Sequence, residues 1–214
     1  MAATVQPDIL TSALTIFEAV GTLAFAASGI IEAARKKFDI FGIVLTAFVT
    51  AFGGGTLRDI LLDRRPFFWE AHQEWIWIMI AIGVLSQLFF KARHIEFSSR
   101  AMQWPDAIGL GLFATLGAQI ALDGGQSPVV AAIMGVITAA FGGVIRDILI
   151  NEIPRAVNDY QPYAVVAFAG GWMMWGIEQL GVASVVAVSV TAAVIIIFRV
   201  LSVVFNWKLP SWRF

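Results

Sequence analysis

Two short stretches of this chain set glycines beside opposite charges. The first reads Gly53-Gly54-Gly55-Thr56-Leu57-Arg58-Asp59; the second, 88 residues on, reads Phe141-Gly142-Gly143-Val144-Ile145-Arg146-Asp147. Such stretches are suited to handling ions and water. Consecutive glycines weaken a helix by about 1 kcal/mol each relative to alanine, so the backbone can unwind there. Unwinding would free carbonyls and amides to replace the hydration of a small solute, and in hydrocarbon these groups survive only against protein or water. The charges make the same demand, since each costs about 2.5–3.5 kcal/mol at the middle of a bilayer.

The elements that carry these stretches are apolar. Of 214 residues, 59% are hydrophobic and only 14% charged, against about 25% charged in ordinary soluble domains. The mean hydropathy is +0.81. A soluble fold of this size needs more polar cover, so the composition excludes a cytosolic enzyme, a disordered chain and a nucleic-acid binder. The net charge of −1 adds nothing, and the absence of cysteine excludes disulfides and thiolate sites. An all-α integral membrane protein is expected, because the alternating ten-residue runs of a β-barrel are not seen.

A crossing helix needs about 20 apolar residues. Hydropathy and breakers place seven spans, at about 9–31, 40–62, 75–90, 107–122, 129–150, 164–180 and 182–205, the third and fourth short. Residues 24–26 have the small-x-small look of a cleavage site. The chain up to Phe17 nevertheless has no Lys or Arg, and Glu18 interrupts the apolar run, so the first span is expected to be retained. Arg35, Lys36, Lys37, Lys91, Arg93, Arg100, Arg155, Lys208 and Arg213 gather on one side, with only Arg64 and Arg65 on the other among acids such as Asp8 and Asp123. This bias predicts the N-terminus outside and the C-terminus in the cytoplasm. Trp69, Trp75, Trp77, Trp104, Trp207 and Trp212 stand near span ends as interfacial anchors.

Shifted by 88 residues, the chain aligns with itself without a gap from Glu18 to Pro66, with 15 of 49 positions identical. The identities cluster at Gly, Arg, Asp and Pro, so shared hydrophobicity does not cause them. Each copy holds three spans, so the second must enter the membrane from the opposite face. A single transmembrane domain over 1–214 is expected, with repeat one at about 9–91, repeat two at about 105–180 and an extra helix at about 182–205. Gly-interrupted spans at matching places in two halves point to a binding or permeation site at the midplane. Arg58 and Asp59 would then lie above it and Arg146 and Asp147 below. Arg58 has Asp59 or Asp147 as a partner that could shut the path. The competing reading is that the glycines serve close packing and the charged pairs are buried structural ion pairs.

Glu18 and its repeat mate Asp106 are either pore-mouth acids or helix-start residues favoured by the dipole, and Pro105 before Asp106 favours capping there. Arg199 in span 7 is placed to snorkel to the cytoplasmic end. His72 and His94 lie near interfaces with no spacing that suggests a metal, and no cofactor is implied. Arg35-Lys36-Lys37 reads as a topology signal. The chain has no Gly-x4-Gly-Lys-Ser/Thr phosphate cradle, so nothing points to ATP-driven transport.

The paired Gly-Gly-x-x-Arg-Asp-Ile-Leu motif at 54–61 and 142–149, within a three-plus-three-plus-one arrangement, resembles the prokaryotic branch of the trimeric intracellular cation (TRIC) channels. It is also similar to bacterial proteins described as glycine transporters. The resemblance covers nearly the whole chain. It implies a homotrimer with a pore in each protomer, spans 2 and 5 kinked at Gly53, Gly54, Gly55 and at Gly142, Gly143, passage of K+ and Na+, and a bacterial plasma membrane. The second copy departs from the first in having Val144 for Thr56 and one glycine fewer, which makes its kink the stiffer. The Lys-Glu-Val motif and basic tail of the animal members are not evident, so phosphoinositide control is not carried over.

The leading reading is therefore a passive monovalent cation channel and not an enzyme. In it, carbonyls freed at 50–52 and 138–141, including those of Thr50 and Thr138, stand in for water. The alternative is a secondary transporter for glycine or a similar zwitterion, its carboxylate at a helix N-terminal end and its ammonium at an acid such as Glu18. A lipid-organising protein without a pathway is the third.

Overall fold

A computed structural model describes residues 9–93, 100–158 and 161–208. Asp8, His94, Trp212 and Arg213 fall outside these residues. Four long helices carry the two motifs and the elements against them: α1 (Ile9–Arg35), α2 (Ile40–Leu61) and, after α3 (Phe68–Ala71) and α4 (Glu74–Arg93), α5 (Gln103–Asp123) and α6 (Pro128–Leu149). The short α7 (Arg155–Asn158) leads to α8 (Ala164–Gln179) and α9 (Ser184–Val204). No strand occurs among the described residues. The fourth predicted span lengthens from 107–122 to Gln103–Asp123, and the third to Glu74–Arg93.

The ends of the four long helices follow one rule. At each, a residue in the left-handed region turns the chain so that two amides close back on the last turn. These residues are Lys37 (φ 59°), Asp63 (φ 52°), Gly125 (φ 77°) and Asn151 (φ 58°). Arg64 N then donates to Asp59 O and Glu152 N to Asp147 O, both at 2.8 Å, while Phe38 N donates to Ala33 O and Gln126 N to Ala121 O, both at 3.0 Å. Lys37 and Gly125 are 88 residues apart, as are Asp63 and Asn151. The starts differ between copies. Asp39 caps α2 by accepting from Gly42 N at 2.8 Å, whereas Ser127 makes no side-chain cap and α6 opens on Pro128. Asp39→Ala should therefore cost about 1 kcal/mol, visible as a lower melting temperature, whereas Ser127→Ala should leave it unchanged.

Among the described residues, five helices, α1, α2, α5, α6 and α9, are long and apolar enough to cross a membrane. The third long helix of each repeat is the shortest of its three: α4 has 20 residues, and the 16 residues of α8 reach only about 24 Å. In the core, α5 packs against α1, α6, α8 and α9 and buries 14 of its 21 residues, including Leu110, Phe113 and Leu116. Its repeat mate α1 buries nine of 27, because α9, which covers α5, has no counterpart in the first repeat. Apolar Ile9, Ile16, Val20 and Leu23 of α1 are left exposed.

The internal two-fold relation holds at the level of contacts. Phe25 and Phe113 meet edge-to-face across it at 5.2 Å, Phe113 lying over Gly21 and Phe25 over Gly109. Gly83 of α4 seats against Val44 of α2, and Gly171 of α8 seats against Ala132 of α6. All these pairs keep the 88-residue offset, which thus extends through the third helices.

Candidate functional site

The glycine stretches lie where α2 crosses α6. Both helices run through them uninterrupted, so the unwinding expected at Gly53, Gly54, Gly55 and at Gly142, Gly143 does not occur. The reason is the neighbour. A methyl group at Gly54 would collide with the carbonyl oxygen of Thr138, and one at Gly142 with that of Thr50. Two backbones touch here with no side chain between them, an approach that only glycine permits and that intact helices make best. The carbonyls expected to be free at 50–52 and 138–141 belong to continuous helices. The hydroxyls of Thr50 and Thr138, both fully buried, donate to the carbonyls one turn back, Thr46 O at 2.6 Å and Met134 O at 2.7 Å. Gly55 and Gly143 instead face the guanidinium groups of Arg58 and Arg146.

One turn beyond the crossing, each helix buries its charged pair. Arg58 and Arg146 are 2% exposed, and each Nε donates to the next residue's Oδ1, in Asp59 and Asp147, at 2.9 Å. Of its two candidate partners Arg58 thus takes Asp59, and each pair closes within its own repeat. Each arginine also turns to the acid on the first helix of its repeat. On the α6 side this contact is tight: Arg146 Nη1 donates to Asp106 Oδ1 at 2.8 Å and to the Ser28 hydroxyl at 2.5 Å, and Asp147 Oδ2 accepts from Arg155 N at 2.9 Å. Asp106 lies in the first turn of α5, as the helix-start reading has it, but Met102 holds the cap position and the carboxylate reaches Arg146 instead of a backbone amide. On the α2 side the contact is loose. Glu18 Oε1 stands 3.8 Å from Arg58 Nη2, Arg64 Nη1 reaches Asp59 Oδ1 at 3.3 Å, and Arg58 Nη1 and Thr22 Oγ1 are buried without a hydrogen-bond partner. A cavity of about 10 Å³, lined by Glu18, Thr22, Thr56 and Arg58 among others, lies beside them, and a second of equal size lies between Arg146, Arg155, Arg199 and Tyr163. Each has room for about one water.

Other expectations shift as well. Arg199 does not snorkel. It is 2% exposed, its Nη1 donates to Gln161 Oε1 at 3.0 Å, and its guanidinium lies 5.0 Å from the centre of the Tyr163 ring. Thr56, which has no equivalent hydroxyl at Val144, accepts from Trp69 Nε1 at 3.2 Å, and Val157 stands where the second copy would need that tryptophan. His72 is exposed beside Glu74, and no metal-binding group occurs among the described residues.

The largest feature not anticipated is a charged network at the far end of α1. Glu32, fully buried, accepts from Arg35 Nε at 2.8 Å and from Arg155 Nη2 at 2.6 Å, while Glu152 receives Lys36 Nζ at 2.7 Å and Arg35 Nη2 at 3.0 Å. The Lys36 hydrogen bond, with Arg35 and Arg155 nearby, holds Glu152 below the usual carboxylate range, so it is charged at neutral pH. The readable signal was Glu32 itself, a lone acid one turn before a basic triplet.

The family described as Glycine transporter matches the chain twice, over residues 15–91 and 103–179, the two matches again 88 residues apart. A UPF0126 membrane protein of Vibrio cholerae is 39% identical over 161 residues, 75% of this chain and just under two thirds, 66%, of that protein. The UPF0126 inner membrane protein YadS of Escherichia coli K12 is 35% identical over 156 residues, 71% of this chain and 72% of that one. Among solved structures, the TRIC trimeric intracellular cation channel orthologue from Rhodobacter sphaeroides superposes with a TM-score of 0.83 at 34% identity, covering 91% of this chain and 98% of the other.

Proposed function

Because the chain belongs to the two-repeat membrane family described as glycine transporters and is a TRIC-family protein, we propose that it is a passive channel for monovalent cations, K+ and Na+, one pathway per protomer of a homotrimer. It is a multi-pass protein of the bacterial inner membrane. The observation that carries the channel reading is the pair of buried Arg–Asp sites, Arg58–Asp59 and Arg146–Asp147, set on opposite sides of one helix crossing in a chain whose solved relatives are cation channels. In this reading α4 and α8 complete seven spans as shorter members, the N-terminus is outside, and the path runs beside the crossing. On one side it passes Glu18, Thr22 and Arg58; on the other it passes Ser28, Asp106 and Arg146. The cavities beside the two arginines are far too narrow for a hydrated ion, so this conformation is a closed one. Exposed Asp123 and the partly exposed Glu18 would enrich cations at the Arg64 face.

Reconstitution tests it. Purified protein in liposomes is expected to dissipate a K+ gradient without saturation and to give unitary currents in planar bilayers. Saturable glycine uptake on the same preparation, with no unitary currents, would replace the channel reading by the carrier reading, which the family description favours.

A further inference from the structure

An inverted repeat gives every feature on one face a counterpart on the other, 88 residues away, so a difference between the two faces reports a conformational state. At the face where α2 and α5 end, a cavity of about 380 Å³ opens between the repeats, lined by Leu62, Arg64, Ile120, Asp123 and Gly124 among others. The counterparts of these five residues are Ile150, Glu152, Glu32, Arg35 and Lys36. Four of these are members of the charged network, and Ile150 is buried, 4% exposed. One face is open where the other is filled. The buried arginines agree: Arg58 stands 3.8 Å from Glu18 on the open side, while Arg146 holds Asp106 at 2.8 Å on the filled side.

We infer that Glu32, Arg35, Lys36, Glu152 and Arg155 form a latch that holds one face of the protein shut. Its release moves the end of α1 away from the turn between α6 and α7 and opens there a cavity like the one at Arg64. The chemistry suits a reversible closure. Arg35, Lys36 and Glu152 keep 26%, 32% and 29% of their side-chain surface exposed, and ion pairs of this kind are individually weak. Glu32 is fully buried and can part from Arg35 and Arg155 only if water reaches it. Opening thus wets a carboxylate at the mouth, where it would draw cations in. The inference rests on a pathway between the repeats and assumes nothing about which solute takes it.

The chain has no cysteine, so a single introduced thiol reports its own surroundings. In proteoliposomes exposed to a hydrophilic maleimide on both faces, Leu62→Cys should react readily and Ile150→Cys slowly. Adding Glu152→Gln to Ile150→Cys should speed its labelling by about tenfold, as expected when several partly exposed ion pairs are lost, and should leave Leu62→Cys unchanged. Glu152→Asp in place of Glu152→Gln, which keeps the carboxylate beside Lys36 and Arg35, should keep labelling slow, which a general loosening of the fold would not do. Equal labelling of Ile150→Cys with and without Glu152→Gln, or acceleration at both probes alike, overturns the latch. The readout needs no flux: latch-dependent labelling in a protein that conducts nothing sinks the channel reading alone, and flux without latch-dependent labelling sinks the latch alone.

Discussion

Gly54→Ala is expected to abolish cation flux and to destabilise the protein by about 3 kcal/mol or more, at the upper end of the range for overpacking. The added methyl meets the carbonyl of Thr138 within a continuous helix, and no flexible side chain can give way. Relief requires α2 and α6 to separate, which also loosens the contact of Gly142 with Thr50. Gly142→Ala should match it in size by the internal symmetry, and Gly55→Ala, whose nearest neighbour is an Arg58 nitrogen at 3.8 Å, should be nearly silent. Thermal unfolding in detergent together with liposome flux checks all three. A Gly54→Ala protein with an unchanged melting temperature would show that the crossing is not the close backbone contact described here.

The second large effect separates the two arginines. Arg146→Ala strands Asp106 and Asp147, whose side chains are 5% and 2% exposed, and removing one partner from such a buried set costs about 3–5 kcal/mol. Arg58→Ala leaves Asp59 with Arg64 and leaves Glu18 with 21% of its side chain exposed, so it should cost clearly less. It should change ion leak more than stability, because it empties the looser side of the proposed path. Melting temperatures of the two variants in the same detergent decide the first point and K+ leak the second. Equal losses of stability would mean that the two halves are equivalent in solution.

The outline of the fold was legible because hydropathy and self-similarity are both properties of the chain alone. The helices were placed to within a few residues, and the 88-residue shift located the crossing helices and both charged pairs. The role of the glycines was not legible, since two glycines in a helix read alike whether they face a ligand or another backbone. That choice depends on what lies opposite, and opposite Gly54 is Thr138, 84 residues away. The same holds for Asp106, whose place at a helix start was legible while its partner Arg146 was not. For Arg199, distance from the membrane centre suggested snorkelling, yet Gln161 and Tyr163 fold over it from the segment before α8. The network at Glu32 joins the two copies at one face only, so the 88-residue match does not report it, and its one trace in the sequence is a lone acid one turn before Arg35-Lys36-Lys37.

Gly54 meets Thr138 as Gly142 meets Thr50, which is the reciprocal pattern of an isologous interface between two identical subunits. Here both partners lie in one polypeptide, the pattern that a duplicated, self-pairing three-helix unit would leave, and α9, which packs on α5, has no mate in the first copy.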